Sequence, residues 1–179
     1  MFNIDKVITH TIEVLEKGFV NHKADKGKAT RWGITESTLG DHLGLPRDYT
    51  GLPYLISELP KRTAAMIYKA NYYYQPKINL LPAKLQEQIF DIGVNSGPSR
   101  AYKLLQQGIN RVSKAGLVID GNFGRKSWAA LDLIGSKLTE INNNVVECRI
   151  DFYNKLAGID KSQQVFLKGW LNRAEKFRV

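Results

Sequence analysis

Residues 13–35 read EVLEKGFVNHKADKGKATRWGIT, and this stretch decides the fold that we expect. Apolar residues upstream of it recur at helical spacing, which predicts an amphipathic first helix that ends near Gly18. Between residues 19 and 34 the helical period is absent, and short β-prone segments flank the turn-forming run KADKGK. The stretch therefore predicts a helix that leads into a small β-hairpin.

Three polar side chains in this stretch form a candidate catalytic set: Glu16, Asp25 and Thr30. Cleavage of a glycosidic bond needs a proton donor at the leaving oxygen and usually a second carboxylate. Glu16 lies where a helix ends, and the negative end of the helix dipole disfavours its charged form there. Asp25 lies in a turn, where a solvated carboxylate stays ionised and can act on a water molecule that Thr30 holds. Each residue alone also has an ordinary structural explanation, so the prediction depends on their occurring together.

The elements that follow are mainly helical. Thr35 predicts the cap of a short helix that ends at Gly44, and residues 45–56 are predicted to form a loop. Ser57 is predicted to cap the next helix, and the run LQEQIFDIGVN (85–95) is apolar on nearly every side, which is typical of a buried central helix.

The second half of the chain predicts further helices and one distinct turn. A helix is expected after Ser96, and the turn DGNFG (120–124) precedes a helix that starts at Arg125. Two more helices are expected at about 137–157 and 162–177. The predicted fold is α+β and mostly α, lysozyme-like, with a small N-terminal β-hairpin and a buried central helix.

Composition limits the class of partner. The 179 residues contain 26 Lys and Arg against 17 Asp and Glu, a net charge of +9, which favours an anionic polymer. The basic final helix is either a solvated face or a contact for such a polymer. Nucleic acid is not the expected partner, because no helix-turn-helix or RNA-binding signature occurs. The one cysteine, Cys148, is predicted to be a buried thiol.

Residues 16–35 resemble the signature of the glycoside hydrolase family 108 lysozymes, which occur in phage endolysins and prophage-derived proteins, and some of which are labelled secretion activators. The positions that match the family pattern are Glu16, Gly18, Val20, Asn21, Ala24, Asp25, Gly27, Ala29, Thr30, Gly33, Ile34 and Thr35. The resemblance implies hydrolysis between N-acetylmuramic acid and N-acetylglucosamine in bacterial peptidoglycan. It implies that Glu16 is the catalytic acid and that Asp25 and Thr30 complete the site, with no metal or cofactor.

The resemblance continues into the second half of the chain. Residues 89–106 and 120–131 resemble the companion segment of the family, which is predicted to bind peptidoglycan. We therefore expect a lysozyme-like catalytic region at 1–95 and a helical peptidoglycan-binding region at 96–179, packed as one compact unit. The chain is expected to act as a monomer.

Three further residues are predicted to bind substrate. Trp32 and Tyr73 offer aromatic rings on which a sugar can stack, and the Asn95 amide can bond to an N-acetyl group. The alternative for all three is packing or helix capping.

An alternative function stays open: a peptidoglycan-binding or secretion-assisting protein without catalysis. It is suggested by Lys17, Lys26 and Lys28, which replace residues of the usual family pattern. The N-terminus carries no apolar signal-peptide core. The sequence contains no run of 18 or more apolar residues, so no membrane span is expected. We therefore expect synthesis in the bacterial cytoplasm and action at the cell wall after release by another route.

Overall fold

The computed structural model of the chain describes residues 2–15, 18–20, 29–46 and 48–179. The chain divides into two compact units, Met1–Pro76 and Lys77–Val179. Within the described residues both units are mainly helical, and strands occur in the first unit alone. The predicted class, α+β and mostly α, is confirmed. No helix in the described ranges combines the length and the apolar content that crossing a bilayer would require.

The first unit contains short helices and short strands. In chain order these are helix α1 (Ile4–His10) continued by a π-helical turn (Thr11–Leu15), strands β1 (Phe19–Val20), β2 (Thr30–Arg31) and β3 (Ile34–Thr35), then helices α2 (Glu36–Leu43), α3 (Leu52–Ser57) and α4 (Lys61–Ile67), the last continued by a π-helical segment (Tyr68–Tyr74).

The strands form one antiparallel sheet in the order β1-β2-β3. Thr30 on the central strand pairs with Val20 on one side and with Thr35 on the other. The two predicted β segments are present and pair as β1 and β2. The second segment, expected as one strand, is divided into β2 and β3 by a turn at residues 32–33. The predicted turn KADKGK lies outside the described residues.

Both predicted ends of α2 are confirmed. The Thr35 hydroxyl accepts a hydrogen bond from the Thr38 amide at 3.1 Å, which satisfies an N–H group that the helix itself leaves unpaired. At the other end Gly44 has a φ of 66°, a left-handed conformation that glycine adopts without steric cost.

The predictions for residues 45–57 were partly wrong. Helix α3 occupies part of the expected loop, and Ser57 is its last residue instead of a cap for the next helix. The Ser57 hydroxyl donates to the Tyr54 carbonyl at 2.8 Å, inside α3. Pro53 accounts for the start of α3, since proline is well suited to a first helical turn. Pro60, with an extended ψ of 145°, precedes α4.

The second unit is a helical assembly. It contains a 3₁₀ turn (Ile78–Leu80), helices α5 (Ala83–Ser96), α6 (Pro98–Val112) and α7 (Arg125–Leu133), a second 3₁₀ turn (Gly135–Lys137), helix α8 (Leu138–Ile159), a third 3₁₀ turn (Lys161–Gln163) and helix α9 (Gln164–Glu175).

Helix α5 is the buried central helix that the sequence predicts, because Leu85, Ile89 and Phe90 are each 0% exposed. Helices α6 and α8 approach closely at Gly108. A Cβ atom built there would lie 2.7 Å from Val145 Cγ2, so a larger residue at 108 would force the two helices apart.

A buried ionic cluster joins three helices of this unit. The Asp91 carboxylate on α5 accepts a hydrogen bond from Arg149 on α8 at 2.6 Å. It also accepts from Arg173 Nε on α9, at 3.0 and 3.1 Å to its two oxygens. Arg149 is 0% exposed and Asp91 6%. Arg173, expected on a solvated or polymer-binding face of the final helix, instead pairs with an acid in the interior.

Aromatic rings surround Arg149 in this cluster. Its guanidinium carbon lies 5.5 Å from the ring centre of Tyr153 and 5.6 Å from that of Phe177, distances at which a cation is attracted to an aromatic ring. The Tyr153 hydroxyl also accepts from Arg149 Nε at 3.0 Å. Among the described residues Arg149 Nη1 has no hydrogen-bond partner, so the rings supply the remaining electrostatic support.

Replacing Asp91 tests how much this cluster contributes to the free energy of unfolding. Asp91→Ala leaves the fully buried Arg149 guanidinium without its acid, and we expect the free energy of unfolding to fall by about 3–5 kcal/mol. Asp151→Ala is the matched control, since Asp151 pairs with Arg111 at 2.7 Å with a side chain 63% exposed. Its cost should stay below about 1 kcal/mol. Urea unfolding at pH 7 measures both, and equal losses would contradict the interpretation.

Cys148 is the buried thiol that the sequence predicts, 2% exposed on α8. Burial raises the pKa of this thiol to about 11, so almost none of it is the reactive thiolate at pH 8. We expect Ellman's reagent to modify the folded protein on the order of 100-fold more slowly than the urea-unfolded chain. Rapid modification of the folded protein at pH 8 would show that the thiol is accessible.

Candidate active site

The predicted site residues lie in different parts of the structure. Thr30, Trp32 and Tyr73 belong to the first unit and Asn95 to the second. Glu16 and Asp25 lie outside the described residues.

Thr30 is held on both edges by the sheet. Its strand pairs with β1, which starts three residues after Glu16, and with β3. The Trp32 amide also donates to the Gly18 carbonyl at 3.0 Å. These bonds fix the chain that follows Glu16 to the strand that carries Thr30, as a site shared by the two residues requires.

Trp32 occupies an unusual position in the β2–β3 turn. Trp32 and Gly33 are the two residues between the strands, and their φ angles are 54° and 74°. Two positive φ angles are typical of the type I′ turn, which suits a tight hairpin. Asn, Asp or Gly normally fills the first of these positions, and a bulky residue there is strained, at a cost of about 1–3 kcal/mol.

Contacts from the helices hold Trp32 in this conformation. The indole Nε1–H donates to the Leu59 carbonyl at 3.0 Å. The Tyr68 hydroxyl donates to the Trp32 carbonyl at 2.9 Å. Because both partners come from the helical part of the unit, these two bonds orient the hairpin against the helices.

The Trp32 ring is half-buried and lies close to two cations. Lys61 Nζ is 5.0 Å from the centre of the ring, and the Arg31 guanidinium carbon is 5.6 Å from it. Lys61 also pairs with Glu13 at 3.4 Å, on the π-helical turn that leads to Glu16. The ring thus lies in a positively charged environment, and its contact with a sugar stays a prediction.

Tyr73 packs inside the first unit. It is 6% exposed, with its ring centre 6.1 Å from that of Phe2 and 5.1 Å from that of Tyr74. Burial is the main cause that raises the pKa of its phenol. Tyr74 is 50% exposed, so of this pair it is the residue that presents its ring to solvent. These contacts give Tyr73 a packing role, and its contact with substrate stays a prediction.

Asn95 is exposed and lies in the last turn of α5. Its Oδ1 accepts hydrogen bonds from the Tyr153 hydroxyl at 2.7 Å and from the Ser96 hydroxyl at 3.1 Å. Gly97, with a φ of 84°, is the residue at the end of the helix, so Asn95 is not the cap that the alternative interpretation suggested. Through Tyr153, Asn95 is connected to the buried Arg149. Its contact with an N-acetyl group stays a prediction.

Glu36 supports the backbone next to Thr30, a structural role that sequence reasoning missed. It is 7% exposed, and its Oε1 accepts from the buried Ala29 amide at 3.3 Å. The Glu36 amide donates to the Ala29 carbonyl at 3.2 Å. Glu36 therefore extends the pairing of β2 and β3 by one residue and fixes the backbone next to Thr30. The sequence signal was an acid in the first turn of α2, which the helix dipole stabilises, but that position does not reveal burial.

The helix before Glu16 is irregular. Its last five described residues, Thr11–Leu15, form a π-helical turn. Such turns occur mostly as single insertions in α-helices and often at functional sites. The Thr11 hydroxyl donates to the Val7 carbonyl at 2.9 Å, a bond that competes with the regular backbone ladder.

Comparison with known families divides the chain near residue 98. The family model "Glycosyl hydrolase 108" matches residues 9–97, and the model "Predicted Peptidoglycan domain" matches residues 100–175. The two compact units instead divide at residue 76, so α5 belongs to the first match and to the second unit. The expected boundary at residue 95 stays a prediction.

Solved structures include one that is similar over nearly the whole chain. The structure of SagA from Brucella abortus has 30% sequence identity and a TM-score of 0.78, with 98% of this chain and 91% of that chain covered. No match was found among curated proteins. The structural similarity confirms the lysozyme-like class that the sequence predicts.

The role of Glu36 can be tested with two substitutions of different chemistry. Glu36→Leu removes the acceptor and leaves the buried Ala29 N–H unpaired, and we expect a loss of about 1–3 kcal/mol in the free energy of unfolding. Glu36→Gln keeps an acceptor oxygen and should cost less than about 1 kcal/mol. Urea unfolding with hydrogen exchange at the Ala29 amide measures both effects. Equal exchange rates in the two variants would contradict this hydrogen bond.

Proposed function

The chain belongs to the glycosyl hydrolase 108 family, and from that premise we propose that it is an N-acetylmuramidase. Its substrate would be bacterial peptidoglycan, cut between N-acetylmuramic acid and N-acetylglucosamine. The family match supports lysozyme-type hydrolysis of peptidoglycan in general. The observation that carries the finer proposal is that one continuous match spans the Glu16–Asp25–Thr30 set, in a segment whose described part is tied to the Thr30 strand.

In the proposed mechanism Glu16 is the general acid. It donates its proton to the glycosidic oxygen as the bond from that oxygen to the anomeric carbon breaks. Positive charge then develops on the anomeric carbon and the ring oxygen. Asp25 takes a proton from water, the water oxygen bonds to the anomeric carbon, and the Thr30 hydroxyl holds that water. Glu16 and Asp25 receive these roles from the family resemblance and from acid–base chemistry.

The hairpin supports this proposal through its rigidity. Efficient catalysis needs reacting groups held close to their productive geometry. Backbone pairing on both sides of Thr30, the Trp32–Leu59 bond and the Glu36–Ala29 bond restrict the described part of the segment. Within this hairpin Trp32 is the proposed contact for a sugar ring.

The net positive charge of the chain supports a substrate in the bacterial cell wall. The chain carries a net charge of +9, and peptidoglycan and the polymers attached to it are rich in carboxylates or phosphates. A cationic protein concentrates at such a surface, with an attraction that weakens as salt screens it. We propose that the protein acts at the cell wall after release from the cytoplasm.

A second candidate is a wall-binding protein without catalysis. Its support is the separate match of residues 100–175 to the predicted peptidoglycan domain, together with the lysines at 17, 26 and 28. This candidate requires binding to insoluble peptidoglycan without release of reducing sugar.

Glu16→Gln tests the catalytic assignment. The amide keeps the shape of the acid but cannot donate its proton, so we expect lysis to slow on the order of 10²–10⁴-fold. Clearing of a suspension of purified peptidoglycan and release of reducing ends measure this change. Glu13→Gln is the matched control, because Glu13 is the same residue type three positions earlier, with a side chain 52% exposed in its pair with Lys61.

Two results would oppose the proposal. Lysis by Glu16→Gln at the wild-type rate would remove Glu16 from the mechanism. Binding of the wild-type protein to peptidoglycan without any release of reducing sugar would support the second candidate. Mass spectrometry of the products separates hydrolysis, which leaves a reducing muramic end, from a lytic transglycosylase reaction, which leaves a 1,6-anhydro end.

A further inference from the structure

A groove of about 690 Å³ lies within the second unit. The loop at residues 115–124 forms one side and helix α7 the other. This groove, the loop–α7 groove, contains none of the residues proposed for glycoside cleavage. Its volume is in the range of sites that bind small molecules or short peptides.

Two amide side chains of α6 hold the loop in place. Asn110 bonds through its side-chain amide to both the amide and the carbonyl of Leu117, at 2.8 Å each. Gln106, 1% exposed, donates to Asp120 Oδ1 at 2.9 Å and accepts from the Gly121 amide at 2.9 Å. The loop is therefore pre-organised, which reduces the entropy that binding would cost.

Gly121 shows how closely the loop packs on α6. Its φ is 79°, and a Cβ atom there would lie 2.5 Å from Ser99 Oγ and 2.6 Å from the Ser99 carbonyl oxygen. The adjacent Phe123 ring stacks on Tyr102 and meets the edge of Trp128, with ring centres 4.9 Å apart in both pairs. A loop with this many fixed contacts is more rigid than a simple connection requires.

The groove carries charges of both signs. Hydrogen bonds from Gln106 and from the Asn122 amide lower the pKa of Asp120, so it stays an exposed carboxylate at neutral pH. Arg125 and Lys126 are exposed in the first turn of α7, where the helix dipole disfavours cations. Neither has an ion pair within the described part of the chain, so helix stability does not explain them.

Exposed apolar side chains form the rest of the wall. Val118 is 76% exposed and Leu133 87% exposed, and both line the groove. Large apolar side chains that face a groove rimmed by polar groups are typical of an interaction site.

The chemistry of the lining distinguishes peptide from glycan. Sugar rings are bound mainly by the faces of aromatic side chains, and among the described residues that line this groove there is no aromatic side chain. A stem peptide of peptidoglycan carries carboxylates, alanine methyl groups and, on its diamino residue, a free amine. These groups complement the cations, the apolar wall and the Asp120 carboxylate respectively.

We propose that the loop–α7 groove binds the peptide stem of peptidoglycan. This inference rests on the proposed wall substrate and adds that the loop–α7 groove recognises its peptide and not its sugar. Arg125 and Lys126 bind the carboxylates of the stem, Asp120 binds the amine, and Val118 and Leu133 contact the methyl groups. The unit would then hold cross-linked wall while the first unit cleaves the glycan.

The test measures binding of a fluorescently labelled stem tetrapeptide that contains a diamino acid, by anisotropy with the full-length protein. We expect unlabelled peptide to displace the probe and peptide-free glycan strands not to displace it. Leu133→Glu places an anion in the wall and should weaken binding at least about tenfold. Ile159→Glu, at a residue 76% exposed outside the groove, is the matched control and should bind as wild type.

A second variant tests whether the weaker binding of Leu133→Glu has an indirect cause. Arg125→Gln with Lys126→Gln should weaken binding and reduce its dependence on salt. Absence of peptide binding, equal binding by Leu133→Glu and wild type, or displacement of the probe by peptide-free glycan would each overturn the proposal. The peptide contains no glycosidic bond, so these outcomes are independent of whether Glu16→Gln abolishes lysis.

Discussion

The burial of one carboxylate between two guanidinium groups organises the second unit. Asp91 lies on α5, Arg149 on α8 and Arg173 on α9, so one acid connects helices that are far apart in sequence. Burying an ion without its counterion costs several kcal/mol, whereas a well-bonded ion set is tolerated. Packings that separate these three residues would leave charges buried alone, and this penalty restricts how the helices can be arranged.

The surroundings of the cluster depend on it in turn. Tyr153 accepts from Arg149 and donates to Asn95, and the Trp170 ring stacks on Tyr153 with centres 5.2 Å apart. The end of α5 is thereby connected to α8 and α9 through side chains alone. The same unit carries the loop–α7 groove, whose loop is held by two side-chain amides of α6, of which Gln106 is buried. In the ionic cluster and in the loop, polar groups of the helices fix the positions of helices and loop that apolar packing alone would leave free.

In the first unit, backbone pairing sets positions that apolar packing alone would leave free. Three strands of two residues each have little stability on their own. Their geometry is completed by contacts with the helices: Trp32 bonds to the Leu59 and Tyr68 groups, and Glu36 bonds to Ala29. The positive φ of Trp32 is a local strain that these contacts maintain.

The sequence by itself determined the features that depend on local chemistry. Helical periodicity, the Thr35 cap and the glycine at 44 placed α2, and the all-round apolar pattern placed the buried α5, because these signals lie within a few residues of the structure they specify. The family pattern from Glu16 to Thr35 likewise could be read without coordinates. Only the tertiary structure decided the pairing of Asp91 with Arg149 and Arg173, the burial of Glu36 and Tyr73, and the groove beside α7. These depend on which distant side chains meet, and a charged residue in a helix has the same local pattern whether it faces solvent or an ion partner 58 or 82 positions away.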